Sequence, residues 1–206
     1  EEYLDIVAGA SDMHRVLGRL PEALTATQVL RSPGRPVPPE ILRPLIRAAR
    51  ETRRVEVDYV SLSAPDREGR IIVPHTLVWT GQRWHLRGWC EKNQAYRDFV
   101  LSRFRGEPEL LGISDHTDRE DTEWHTWVEI AIAPDPRLSP AQQGVVAHDY
   151  GMMDNQWLLS VRAKLLPYYL KLLQIDPQDI KADAKAQQLV ILNPRDLDPW
   201  LFSGAV

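Results

Sequence analysis

Residues 84 to 103 read Trp-His-Leu-Arg-Gly-Trp-Cys-Glu-Lys-Asn-Gln-Ala-Tyr-Arg-Asp-Phe-Val-Leu-Ser-Arg: a strand, a polar turn and a second strand. Side chains alternate along a strand, so Arg97, Phe99, Leu101 and Arg103 are expected to point the same way. Two guanidinium groups flanking an aromatic ring and an aliphatic residue can hold an anion while a flat base stacks beside them. That is the chemistry of binding, not of a nucleophile. Tyr59, Ser61 and Ser63 share one face of an earlier strand and offer hydroxyl donors and a ring, although such a face is more often an ordinary half-exposed one. His75 follows Pro74 at mid-strand, where a lone histidine is usually a satisfied structural residue. Trp84 is balanced between core and ligand platform. Arg87 and Arg105 are weaker candidates.

Catalytic and metal chemistry find little support. Ser102, His75 and Asp98 can be assembled on paper into a triad, but no serine sits in a nucleophile-elbow glycine pattern. His116 and His125 lie too far apart for a helical metal pair and have no cysteine or second histidine at ligand spacing. Cys90 is the only cysteine, which excludes an internal disulfide and reads as a small buried apolar residue. Gly81 and Gly88 are isolated, so no loop cradles phosphate. The carboxylates of 114–123 lack the spacing of a calcium loop and read as a solvated acidic linker. The expectation is a protein that is not an enzyme and carries no cofactor.

Elements must position these side chains. Residues 1–30 are weakly helical. Residues 32–39 hold four prolines and form a linker, and a helix follows from Glu40 to Thr52 with Ile41, Leu42, Leu45, Ile46 and Ala49 on one face. Strands are expected at Val55–Ser63, Ile71–Trp79, Arg83–Cys90, Tyr96–Phe104 and, more weakly, Pro108–Ile113. The turn-like connections between them predict antiparallel neighbours. Five short antiparallel strands usually curl into a small barrel that hides its edges. Beyond residue 124 the order changes to strand Trp127–Ala133, helix Pro140–Asp149, strand Gln156–Ala163, helix Leu165–Ile175 and strand Gln188–Leu192, the pattern of a small α/β sandwich. The fold class is therefore α+β: an Sm/SH3-like antiparallel β-barrel, preceded by helices and followed by the sandwich. The expected organisation is 1–52 helical and linker, 53–113 barrel, 114–123 acidic linker and 124–206 C-terminal domain.

The formal charge of −4 conceals an asymmetry. Residues 1–52 hold seven basic against seven acidic side chains, 53–105 ten against six, and 106–206 eight against sixteen. A basic middle followed by an acidic domain suits an anion-binding module joined to one that does not bind anions. Before position 106 the basic residues are arginine apart from Lys92, and arginine suits forked contacts to phosphate. No apolar run reaches the ~20 residues of a membrane span and no signal peptide opens the chain, so a cytoplasmic protein is expected.

Four pieces carry a resemblance: Val57-Asp58-Tyr59-Val60-Ser61, Val73-Pro74-His75-Thr76-Leu77-Val78, Gly81-Gln82-Arg83-Trp84-His85-Leu86, and Tyr96-Arg97-Asp98-Phe99-Val100-Leu101-Ser102-Arg103-Phe104. In order and spacing they resemble a WYL domain, with Trp84-His85-Leu86 standing for the name-giving triplet and histidine replacing its tyrosine. The C-terminal block, ending in Asn193-Pro194-Arg195-Asp196-Leu197, is similar to the extension domain that usually follows WYL. The resemblance implies a bacterial transcriptional regulator, most similar to the BrxR/CapW-like repressors encoded beside phage-defence operons. It further implies a homodimer and operator DNA bound through a winged helix-turn-helix, for which residues 1–30 are too short. An anionic effector, a nucleotide, cyclic oligonucleotide or single-stranded nucleic acid, would be sensed in the barrel by Tyr59, Ser61, His75, Trp84, Arg97 and Arg103. Two other readings stay open: direct single-stranded nucleic-acid binding by the basic barrel, and a ligand-free dimerisation scaffold.

Overall fold

The computed structural model describes residues 35–201 except 63–64, 178–180 and 182. The expected helicity of residues 1–30 and the place of Ser63 lie outside the described residues.

Helix α1 (Pro39–Glu51) follows the proline-rich linker and buries Ile41 and Leu45 of the predicted stripe together with Ala48, while Leu42, Ile46 and Ala49 are half-buried. It ends at Thr52, whose left-handed conformation (φ 51°) turns the chain into the first strand. Strands β1 (Arg53–Tyr59), β2 (Glu68–Trp79), β3 (Trp84–Cys90), β4 (Ala95–Val100) and β5 (Phe104–Ile113) form one antiparallel sheet of order β4-β3-β2-β1-β5. α1 covers one face, with Val55, Val57, Tyr59, Ile72, Leu86, Cys90, Phe99 and Phe104 beneath or beside it in a single core.

Two expectations change here. The strand foreseen over Tyr96–Phe104 is interrupted: β4 ends at Val100, Leu101–Arg103 makes a 3-10 turn, and β5 begins at Phe104. Leu101 plugs the core within that turn, and the Arg103 carbonyl accepts the Val60 amide, so the chain swings from the β4 edge to β1. β5 is consequently ten residues long, not a weak final strand. Because β4 and β5 are not paired with each other, the sheet stays open where a closed barrel was expected; the α+β class and antiparallel order stand.

The second sheet joins β6 (Trp127–Pro134), β7 (Trp157–Arg162) and β8 (Leu189–Ile191) in the antiparallel order β7-β6-β8. Helices α3 (Pro140–Asp149) and α4 (Leu166–Leu172) pack on its inner face around Ile130, Ile132, Val161, Leu166 and Leu170. Ser139 caps α3 in a reciprocal capping box with Gln142. Between the sheets, the short helix α2 (Thr122–His125) starts at Asp121. The solvated linker foreseen for 114–123 is corrected at Asp121, which is 1% exposed because it pairs with a buried arginine.

Candidate functional site: a cationic cavity between the sheets

Alternation along β3 sends Leu86 and Cys90 into the α1 core and His85, Arg87 and Trp89 to the opposite face. Arg87 is completely buried. A buried guanidinium is tolerable only when its charge and its donors are matched. Arg87 meets that condition: Nε and Nη2 donate to Asp121 at 2.5 and 2.7 Å, Nη1 to Asp98 at 3.1 Å, and Nη2 also to Glu123 at 3.0 Å. Burial opposes its charge, but Asp121 and Asp98 more than compensate and hold it protonated above the usual arginine range. Burial likewise works against the Asp121 carboxylate, yet His75 and Arg87 win and bring its pKa down to about 2. Lys164, just after β7, lies 3.6 Å from Asp98 and 3.5 Å from Glu123, extending the network into the C-terminal domain.

Beside this network a cavity of about 390 Å³ opens between the first sheet and α4. Arg83, Arg97 and Arg103 line it from one side and Lys164 and Lys171 from the other, against the carboxylates of Asp98 and Glu123. Those two carboxylates already bond Arg87, so the field in the cavity is positive. Among the described residues the Arg97 and Arg103 guanidinium groups have no carboxylate partner. His85 forms part of the wall, and burial, with Arg83 and Arg103 adding to it against Asp98, lowers its pKa to about 4. The ring is neutral at pH 7. Its Nε2 accepts from Arg83 Nε at 3.2 Å, leaving the proton on Nδ1, which faces the Tyr168 hydroxyl at 3.4 Å. That hydroxyl donates to Asp98 at 3.3 Å, and burial followed by Asp98 keeps it protonated well above the ordinary tyrosine range. Both tyrosine contacts are long and leave room to rearrange. The arrangement can hold an anion with several charge-assisted bonds and offers neutral donors and rings beside it.

The predicted site residues separate. Arg97 and Arg103 line the cavity together, although not by strand parity: Phe99 and Leu101 between them are buried in the core and the turn ends the alternation. Tyr59 is not in the groove. It is 4% exposed, its hydroxyl accepts the Val100 amide at 3.0 Å, and its ring meets Phe99 and Phe104 edge-on. Ser61 is half-buried past the end of β1 and does not line the cavity. His75 belongs to a separate polar cleft of about 270 Å³ with His116, Thr117 and Asp118, where its Nε2 sits 3.1 Å from Asp121. Trp84 is 46% exposed and leans on Trp79 with ring centroids 5.4 Å apart. The groove expected to join Tyr59 and His75 to the two arginines is therefore corrected, since Tyr59 points into the core beneath α1 and His75 turns to Asp121 in the other cleft.

Sequence reasoning passed over His85, Asp98, Tyr168, Lys164 and Lys171. His85 and Arg87 had a signal, polar residues alternating with the apolar Leu86 on a strand flanked by tryptophans. Tyr168 had none, being 83 positions from the His85 it meets.

Comparison with known proteins adds an independent line. Residues 40–106 match the family described as the WYL domain, and residues 127–197 the family described as the BrxR transcriptional regulator, C-terminal dimerization domain. Curated relatives named DNA-binding transcriptional repressor CapW are 31% identical over 176 residues in Stenotrophomonas maltophilia, covering 85% of this chain and 59% of the relative. In Escherichia coli (strain KTE188) the figures are 34% over 158 residues, 77% and 52%. In Pseudomonas aeruginosa they are 35% over 160 residues, 78% and 53%. The chain thus spans about half the length of the curated relatives it matches. Among solved structures, proteasome accessory factor B/C (PafBC) of Arthrobacter aurescens is 22% identical, with a TM-score of 0.34, over 82% of this chain and 28% of that one.

Proposed function

This chain carries a WYL domain followed by a BrxR-type C-terminal dimerization domain, and from that premise we propose that it is the effector-sensing and dimerising half of a bacterial transcriptional repressor. The observation that carries the sensing role is the cationic cavity, because a scaffold has no reason to leave Arg97 and Arg103 without carboxylate partners among the described residues in a concave site. The effector is an anion of nucleotide or nucleic-acid type. Binding to operator DNA is in keeping with the relatives' name, DNA-binding transcriptional repressor. That this is done through a winged helix-turn-helix, and that the controlled operon is one for phage defence, are parts of the proposal that rest on the family resemblance alone. Mechanistically this is linkage. An anion bridging the sheet arginines and the α4-side lysines prefers one arrangement of the two domains, and that preference changes operator affinity.

Titration of the purified chain with mononucleotides, cyclic oligonucleotides and single-stranded oligonucleotides at several salt concentrations tests the reading. A small anion in the cavity loses little affinity with salt. A strand tracked across the sheet loses it steeply, which would favour direct nucleic-acid binding. Absence of binding in every arm would leave the dimerisation scaffold.

A further inference from the structure

Glu123 stands in the wall of the cationic cavity without being needed by the cations beside it. Asp121 caps α2 and lies against Arg87, which delivers Glu123, two positions on, to that wall. Arg87 and Lys164 there meet three carboxylates, those of Asp98, Asp121 and Glu123. Asp121 and Asp98 are 1% and 12% exposed, and together they already match both positive charges. Glu123, 48% exposed, is the surplus.

Its two oxygens are used differently. Oε2 accepts from Arg87 Nη2 at 3.0 Å and lies 3.5 Å from Lys164 Nζ. Oε1 has no donor among the described residues. Asp98 uses both: Oδ1 accepts from Arg87 Nη1, while Oδ2 accepts from the Tyr168 hydroxyl and faces Lys164. The cavity thus sets the unmatched guanidinium groups of Arg97 and Arg103 beside one carboxylate oxygen that lacks a donor.

An anion made only of acceptors gains the arginines but meets Glu123 as a like charge. An anion that also carries an N–H donor satisfies both. Among nucleotide-type ligands, the exocyclic amine of a base is such a donor, and acidic side chains accept from the cytosine amine in this way. A site built around a hydrogen bond rejects the analogue lacking the group, because its own polar atom is then left unpaired. We propose that Glu123 sets the specificity of the cavity: Oε1 accepts from an exocyclic amine, so the effector carries an amino-bearing base (adenine, cytosine or guanine). The inference rests on the nucleotide reading of the cavity and names the residue that reads the base.

Calorimetric titration of the whole chain at one salt concentration tests it. The probes are inorganic pyrophosphate and three pairs of 2′-deoxynucleotides, each used as the monophosphate and as a homotetramer. The adenine and cytosine members are paired with analogues in which hydrogen replaces the amine, and guanine is paired with hypoxanthine. Sugar and phosphate are the same within a pair, so the ratio of affinities isolates the amine. In the wild type the amino-bearing member of at least one pair is expected to bind about 10-fold tighter, the low end for a hydrogen bond to a charged group. Glu123→Ala should bring that ratio to one and tighten pyrophosphate about 3-fold or more by removing the like charge. Glu109→Ala, which removes an exposed charge of β5 outside the cavity, should change neither. Thermal melts check folding. Should Glu123→Ala unfold, Glu123→Gln keeps an acceptor for Arg87 and should still tighten pyrophosphate and shrink the ratio. Equal affinities within every wild-type pair, or a ratio that survives Glu123→Ala, overturn the role of Glu123 while leaving the cavity an anion site. Binding of pyrophosphate alone overturns the nucleotide class. Binding of no probe overturns the sensing cavity itself.

Discussion

At Arg97 and Arg103 the chemistry of the cavity is most directly addressable. Each guanidinium faces the cavity without a carboxylate partner among the described residues, so neither contributes much to folding. Arg97→Ala or Arg103→Ala is expected to weaken binding of whichever probe nucleotide or oligonucleotide the titration identifies by about 10- to 150-fold, the loss of one charge-assisted contact. The thermal midpoint should stay close to wild type; a variant that unfolds would make its arginine structural. In a reporter assay of the proposed repressor the same changes should abolish the response to the effector and spare basal repression. His85 gives a pH signature. Its folded pKa of about 4 lies below the ordinary 6.5, so between those values the unfolded chain takes up a proton that the folded chain refuses. Stability contributed by the neutral ring is full above pH 6.5, falls as pH drops, and levels off below about 4, a loss of order 3 kcal/mol. His85→Gln should flatten the stability curve over that window in urea titrations run from pH 7 to 4. An unchanged slope would mean that the ring is not buried as described.

On the scale of elements, the β2–β3 pairing depends on Gly88. The ladder shifts register between Pro74 and Thr76, and a Cβ added at Gly88 would stand 2.4 Å from the Val73 carbonyl oxygen and 2.7 Å from the Pro74 Cα. Both obstacles are backbone, which cannot rotate aside. Gly88→Ala is therefore expected to cost about 1–3 kcal/mol as an overpacked site, read as a lowered urea midpoint at unchanged m-value. A neutral result would mean that the bulge relaxes locally. The 3-10 turn at Leu101–Arg103 works at the same scale. By ending β4 early it carries Arg103 to the cavity while Leu101 stays in the core.

For the molecule as a whole, the Arg87 network is the polar joint between sheet and C-terminal domain. Asp121 caps α2 through the Trp124 amide while it accepts from Arg87, so one carboxylate fixes both the domain joint and the helix start. Asp121→Asn removes the charge that matches a fully buried guanidinium and should destabilise the fold by about 3–5 kcal/mol. Because the native carboxyl titrates near 2, below its usual 3.8, the wild type should lose this contribution only as pH falls through 3.8 toward 2, beneath the His85 window. Chemical denaturation of Asp121→Asn beside wild type at pH 7 and pH 3 measures it. The gap between the two proteins should narrow at the lower pH, and a gap that stays constant would deny Asp121 its part in the joint.

Much of the architecture is local and was legible in the residues. The stripe of Ile41 and Leu45, the alternation through Val55 and Val57, and the turns after Trp79 and Cys90 specify a helix and antiparallel strands, since each depends on neighbours a few positions away. The change of pattern after residue 124 gave the second sheet for the same reason. The candidate site was legible only in part. Residue type pointed to Arg97 and Arg103, but parity is valid within one strand, and the turn at Leu101 broke it. Tyr59 went to the core because Phe99 and Phe104 close over its ring, a contact no spacing expresses. Asp121 became a buried partner of Arg87 across 34 positions, and Tyr168 met Asp98 across 70. Periodicity fixes which face a side chain takes; only the packing of distant segments decides what that face meets.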